Sequence, residues 1–186
     1  PEQAAIMPSL QLTDEYGLVL AAVGSIGITS QYLGSLVMSQ RGKCFKADAF
    51  TKKATVQAMA EAHKKEFGAP MNSMGYPDMG NGRYAAELDY ASWVRFNNAQ
   101  RAHYNMVESA APIVGCVIVA GLAHPRTAAA LGFAYSFGRI VYGNGYTSTA
   151  GADGRMAGAA ISALASLVLF GISIVQGLRI GLGSMF

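Results

Sequence analysis

Arg101, Asn105 and Glu108 are spaced i, i+4, i+7 along the chain. In a helix, a rotation of about 100° per residue keeps them within about 60° of arc, on one face. Gln100 and Asn98 extend the polar patch toward the start of the segment, and His103 points elsewhere. A second stripe, Tyr135, Arg139, Tyr142 and Tyr146, follows i, i+4, i+7, i+11. Arg155 opens a later apolar run and Arg41 closes an earlier one. Together these positions supply guanidinium groups, a carboxylate, an amide and phenols. Arginine grips carboxylates through paired hydrogen bonds, and a glutamate can take an ammonium or amide N–H. The set suits a small zwitterion with carboxylates, an amine and a reactive group. The same residue types also line proton or ion paths or glue membrane helices together. Spacing alone leaves these readings open.

The elements that must position these side chains are apolar. Of the 186 residues, 52% are hydrophobic and 13% charged, against about 25% charged in ordinary soluble domains. No charged residue falls between Glu15 and Arg41, or between Arg155 and Arg179. A crossing of the hydrocarbon core needs about 20 helical residues. Four spans are predicted, over residues 16–40, 94–123, 127–147 and 156–179. The middle two are weaker because Arg101, Glu108 and Arg139 fall within them, and ionisable residues at such depth by default suggest function. The predicted fold class is an all-α membrane protein, a single domain over 1–186 built as a four-transmembrane-helix bundle.

Between the first two spans lies a long basic loop, residues 41–92, with Arg41, Lys43, Lys46, Lys52, Lys53, Lys64, Lys65 and Arg83. The positive-inside rule places it on the cytosolic or matrix side, with the turn around Asp153 and Arg155, and places both termini opposite. The polar stripes then gather near one membrane face. Within the loop, residues 51–67 carry Val56, Met59, Ala60, His63 and Phe67 at helical spacing. This predicts an amphipathic helix, either on the membrane surface or solvated, stopped by Gly68 and Pro70. Tyr90 and Trp93 are predicted interfacial anchors. Pro1–Glu15 holds no Lys or Arg, so it reads as neither a secretory signal nor a mitochondrial presequence, and the first span is expected to be retained.

Other chemistries are disfavoured. The net charge of +3 comes without a basic tract interleaved with aromatics, so nucleic acid is not an expected partner. Cys44 and Cys116 cannot make a disulfide framework. His63 and His124 lack ligand partners at metal spacing, so no metal is expected.

The run Phe96-Asn97-Asn98-Ala99-Gln100-Arg101-Ala102-His103-Tyr104-Asn105-Met106-Val107-Glu108 resembles the MAPEG family, membrane-associated proteins in eicosanoid and glutathione metabolism. The resemblance continues through Ala123-His124-Pro125-Arg126, resumes at Gly138-Arg139-Ile140-Val141-Tyr142-Gly143-Asn144-Gly145-Tyr146, and ends at Gly154-Arg155. It is nearest to the type-3 microsomal glutathione transferase branch. The resemblance implies a homotrimer of four-helix subunits with glutathione bound between neighbours, in the endoplasmic reticulum or a mitochondrial membrane. It implies that Arg101 and Arg41 grip glutathione carboxylates, with Gln100 beside them. Asn105 and Glu108 would hold the peptide and its amino group, and Tyr142 and Tyr146 would hydrogen-bond the tripeptide. Arg155 would stabilise the thiolate that attacks a lipophilic electrophile or lipid hydroperoxide. The long loop, larger than the family needs, motivates an alternative: a non-catalytic accessory subunit of a larger membrane assembly, such as a respiratory complex.

Overall fold

The computed structural model describes residues 12–182. Most of the N-terminal segment read above for targeting lies outside the described residues. The helices are α1 (Tyr16–Phe45), α2 (Asp48–Thr51), α3 (Ala54–Phe67), α4 (Tyr90–Gly121), α5 (Pro125–Tyr146) and α6 (Met156–Leu182). Two 3-10 turns, Ala85–Glu87 and Gly151–Arg155, precede α4 and α6. No strand occurs among the described residues.

α1, α4 and the segment Gly151–Leu182 are long and apolar enough to cross a membrane. α1 continues past Gln40 to Phe45, where Lys43 in its last turn complements the helix dipole. α4 begins at Tyr90, ahead of the predicted start at 94, because Asp89 caps it: the Ser92 amide donates to Asp89 Oδ1 at 2.9 Å.

Val19, Ala22, Ile26 and Leu33 recur on one stripe of α1 and are fully buried. They pack with Met106, Ile113 and Val117 of α4, Ala128 and Tyr135 of α5, and Leu169 of α6 into the main core. α6 reverses the pattern of a soluble helix. Its buried side holds Gly158, Ser162, Ala165 and Leu169, while Leu164, Leu167, Ile174 and Leu178 face outward. Small residues inside and large apolar ones outside suit a helix that meets lipid.

α5 packs against α1, α4 and α6 at once. That position explains its composition. A helix shielded on three sides can carry Ser136, Arg139, Tyr142 and Tyr146 in buried positions, and these lower its hydropathy. With 22 residues it is about 33 Å long, close to the hydrocarbon thickness of about 30 Å.

The loop between α1 and α4 is folded onto the bundle. Phe45 at the end of α1 makes edge-to-face contacts with Phe50 of α2 and Phe96 of α4, with centroids 5.2 and 5.3 Å apart. Val56 of α3 joins them in a second buried cluster. α3 starts at Ala54 because Lys53 is extended, which separates α3 from the single turn of α2. Gly68, left-handed at φ 69°, closes α3 by donating to the Lys64 carbonyl at 2.9 Å.

Candidate functional site

The polar side chains converge where α4, α5 and the start of α6 meet, at the end of the bundle that carries the basic loop. Tyr142 and Tyr146 lie one turn apart on α5, both buried, with their rings edge to face and centroids 5.6 Å apart. Asn105 of α4 donates from Nδ2 to the Tyr142 hydroxyl at 2.8 Å and to the Arg101 carbonyl at 2.9 Å. Arg155 closes the group from the 3-10 turn before α6. Its Nη1 donates to the Tyr146 hydroxyl at 3.4 Å, and its guanidinium carbon sits 5.2 Å from the Tyr146 ring centroid.

Glycines bring these elements together. A Cβ on Gly138 would lie 2.7 Å from the Ser162 backbone nitrogen, and one on Gly158 would run into the backbone of Gly138 and Tyr142. Gly145 and Gly154 meet backbone to backbone in the same way. The two close approaches hold the segment bearing Arg155 against the helix bearing both tyrosines.

A deeper layer supports the cluster. Ser109 Oγ lies 2.6 Å from the Tyr135 hydroxyl and accepts from Arg139 Nη2 at 3.3 Å. Arg139 is buried, and its charge faces the Tyr142 ring at 4.8 Å and the Tyr135 ring at 5.8 Å. Its Nε has no hydrogen-bond partner. Ser109 was not singled out in the sequence, although it lies four residues after Asn105, on the same face. Pro112, inside α4, supplies no N–H to the Glu108 carbonyl, so the backbone there lacks one helical bond.

Arg101 and Glu108 share the α4 stripe with Asn105 but are exposed on the outside of the bundle. Neither has an ion-pair partner among the described residues. Two exposed charges thus flank the half-buried Asn105 and its buried partner Tyr142.

Arg41 and Gln100 stand apart and hold the loop. The buried Arg41 guanidinium donates to the carbonyls of Met74, at 3.1 Å, and Asp78, and lies 4.0 Å from the Tyr76 ring centroid. Gln100 Nε2 donates to the Met79 carbonyl at 2.9 Å. Neither shares a hydrogen bond or ion pair with the tyrosine cluster. Asp78 organises the same loop. Its carboxylate accepts from the amides of Gly80, Gly82 and Ala85 at 2.8, 3.0 and 2.8 Å. Burial raises its pKa, but those backbone donors outweigh burial and hold it below the usual carboxylate value.

Residues 19–175, most of the chain, match the model of the MAPEG family. The chain belongs to the MAPEG family. The match takes in Arg101, Asn105, Glu108, Tyr142, Tyr146 and Arg155, together with the folded loop that holds Arg41. In this MAPEG protein Asn105, Tyr142, Tyr146 and Arg155 meet within one chain, while Arg101 and Glu108 face outward.

Proposed function

We propose that this protein is a membrane-bound glutathione transferase or peroxidase, akin to the type-3 microsomal branch, in a membrane of the endoplasmic reticulum or mitochondrion. The observation that carries the reading is the placement of Arg155 against Tyr146, beside the Asn105–Tyr142 pair. A free thiol, with a pKa near 8.5, is only a few per cent thiolate at neutral pH. A guanidinium next to the sulfur favours the anion, and each unit of pKa is worth about 1.4 kcal/mol. Arg155 takes that role in this reading. Arg101 grips a carboxylate of the tripeptide, Glu108 takes its ammonium, and the phenols of Tyr142 and Tyr146 orient the peptide.

The thiol gives up its proton to solvent, and the thiolate forms a C–S bond to a lipophilic electrophile arriving through the bilayer. On conjugate addition the C=C π bond breaks and the resulting carbanion takes a proton from water. On substitution the bond to the leaving group breaks and that group departs with the electron pair. With a lipid hydroperoxide, two glutathione thiols are oxidised to the disulfide while the hydroperoxide becomes an alcohol and water. α5 is the fourth span in this reading, since its length matches the hydrocarbon core and its neighbours shield its polar residues. Exposed Arg101 and Glu108 are costly against lipid, which favours a second copy of the chain covering them, as in a homotrimer with glutathione between subunits. Arg41 and Gln100 would support this site from behind, by fixing the loop at its edge.

A second reading rests on a different observation. The loop is folded on the bundle and takes up Arg41 and Gln100, which favours an accessory, non-catalytic subunit of a larger membrane complex. Titration calorimetry of purified protein in detergent decides between them. The first reading expects saturable glutathione binding that Arg101→Ala weakens roughly tenfold or more, as for a charge-assisted contact of about 1.5–3 kcal/mol. No detectable binding would sink it, and stoichiometric co-purification with unlike chains would then favour the second.

A further inference from the structure

A groove of about 540 Å³ opens in the inserted loop, between the end of α1, the helices α2 and α3, and the chain after α3. Its volume falls within the range of small-ligand sites. Phe45, Phe50, Val56 and Met71 give it an apolar floor. Lys46 and Lys64 stand exposed on its lining, and neither is ion-paired among the described residues. Glu61 is the one acidic lining residue, so the rim remains cationic.

The depth of the groove is set by α1. The charge-free stretch of that helix ends at Arg41, and four further residues carry the chain about 6 Å to Phe45. The polar headgroup region extends about 5–8 Å beyond the hydrocarbon on each side. Phe45 therefore sits close to the headgroup region, with an apolar slot beside it and two ammonium groups at the rim that are unpaired among the described residues. Juxtamembrane lysines of this kind attract anionic lipid.

We propose that this groove seats one acyl chain of an anionic bilayer lipid, with the lipid phosphate on Lys46 and Lys64. The chain lies over Phe50, Val56 and Met71, and the lipid clamps α3 to the end of α1. A zwitterionic lipid offers the same chain without the net charge, so the two lysines set the preference.

Native mass spectrometry of the full chain tests this, by titrating detergent-solubilised protein with dioleoyl phosphatidylglycerol or dioleoyl phosphatidylcholine. The expected result is one retained phosphatidylglycerol, with a preference of roughly tenfold over phosphatidylcholine from two lysines near the headgroup. The double variant K46E/K64E, at exposed positions, removes the preference and lowers the thermal unfolding midpoint by only a few degrees, roughly what the loss of two charges favouring the C-terminal ends of α1 and α3 costs. Ala60→Trp, which fills the groove, lowers retention of both lipids; should it lower the midpoint, the charge variant alone decides. Equal retention of the two lipids by the unmodified protein overturns the proposal. So does a preference that survives K46E/K64E, which marks a general anionic annulus. Release of a co-purifying protein by Ala60→Trp with lipid retention unchanged also overturns it, and assigns the groove to a protein partner.

Discussion

Asn105 on α4 and Tyr142 on α5 are joined by a 2.8 Å hydrogen bond that ties the exposed arginine stripe to the buried phenols. The same amide donates to the Arg101 carbonyl, so one side chain fixes both the rotamer of Tyr142 and the backbone beneath Arg101. In a double-mutant cycle with Asn105→Ala and Tyr142→Phe, the coupling in unfolding free energy should be about 1 kcal/mol, the usual net value of one such bond. Each single variant should also weaken glutathione binding, by roughly 5- to 10-fold for the loss of about 1 kcal/mol. Additive effects within error would mean that the pair is not formed.

Gly158 should be intolerant of any side chain. A Cβ there meets backbone atoms of α5, which cannot rotate away as a flexible side chain can. Gly158→Ala should destabilise the bundle by about 1–3 kcal/mol, the range for overpacking, and push the Arg155 segment off Tyr146. Gly171, whose Cβ would meet nothing within 4 Å, is the control, and Gly171→Ala should leave the unfolding midpoint unchanged or raise it slightly. Thermal unfolding of both variants in detergent checks the contrast.

The loop that buries Arg41 should loosen in acid. The carboxyl of Asp78 is held low by three amide donors, so the folded state binds its proton less readily than the unfolded chain, where the value is near 3.9. The stability it contributes is therefore fully present above about pH 4–5 and is lost as pH falls through the lower folded value. Asp78→Ala should cost about 1–3 kcal/mol at neutral pH, from amides left without acceptors. The gap between variant and unmodified protein should narrow as pH falls below the unfolded value of about 3.9 and through the lower folded value, where the carboxyl becomes protonated in both states. Proteolysis within residues 74–85, followed against pH, reports it directly.

Much of the site was legible because a helix has a fixed period. Arg101, Asn105 and Glu108 share a face by spacing alone, and so do Tyr135, Arg139, Tyr142 and Tyr146. Contacts across helices were not legible in the same way. The approach of Arg155 to Tyr146 depends on the glycine pairs Gly138–Gly158 and Gly145–Gly154, and glycine in an apolar run carries no sign of its partner. The hydrogen bonds of Arg41 and Gln100 go to backbone carbonyls of Met74, Asp78 and Met79. Any residue supplies a carbonyl, so no residue type announces such a partner. Asp78 ahead of Gly80-Asn81-Gly82 was a usable signal, since a carboxylate before a glycine-rich turn commonly caps its amides. The low hydropathy of α5 follows from its place between three other helices, which a window along the sequence cannot register.

The most direct test of the account is the ultraviolet difference spectrum of glutathione bound to the detergent-solubilised protein, at neutral pH and saturating tripeptide. A guanidinium at the sulfur should produce a thiolate band in the unmodified protein. Arg155→Leu should abolish the band and lower turnover by about 10²–10³-fold, as for other removed charge-stabilising donors, while binding persists through Arg101 and Asn105. A bound thiol with no thiolate band, or a band that Arg155→Leu leaves intact, would contradict the assignment of Arg155.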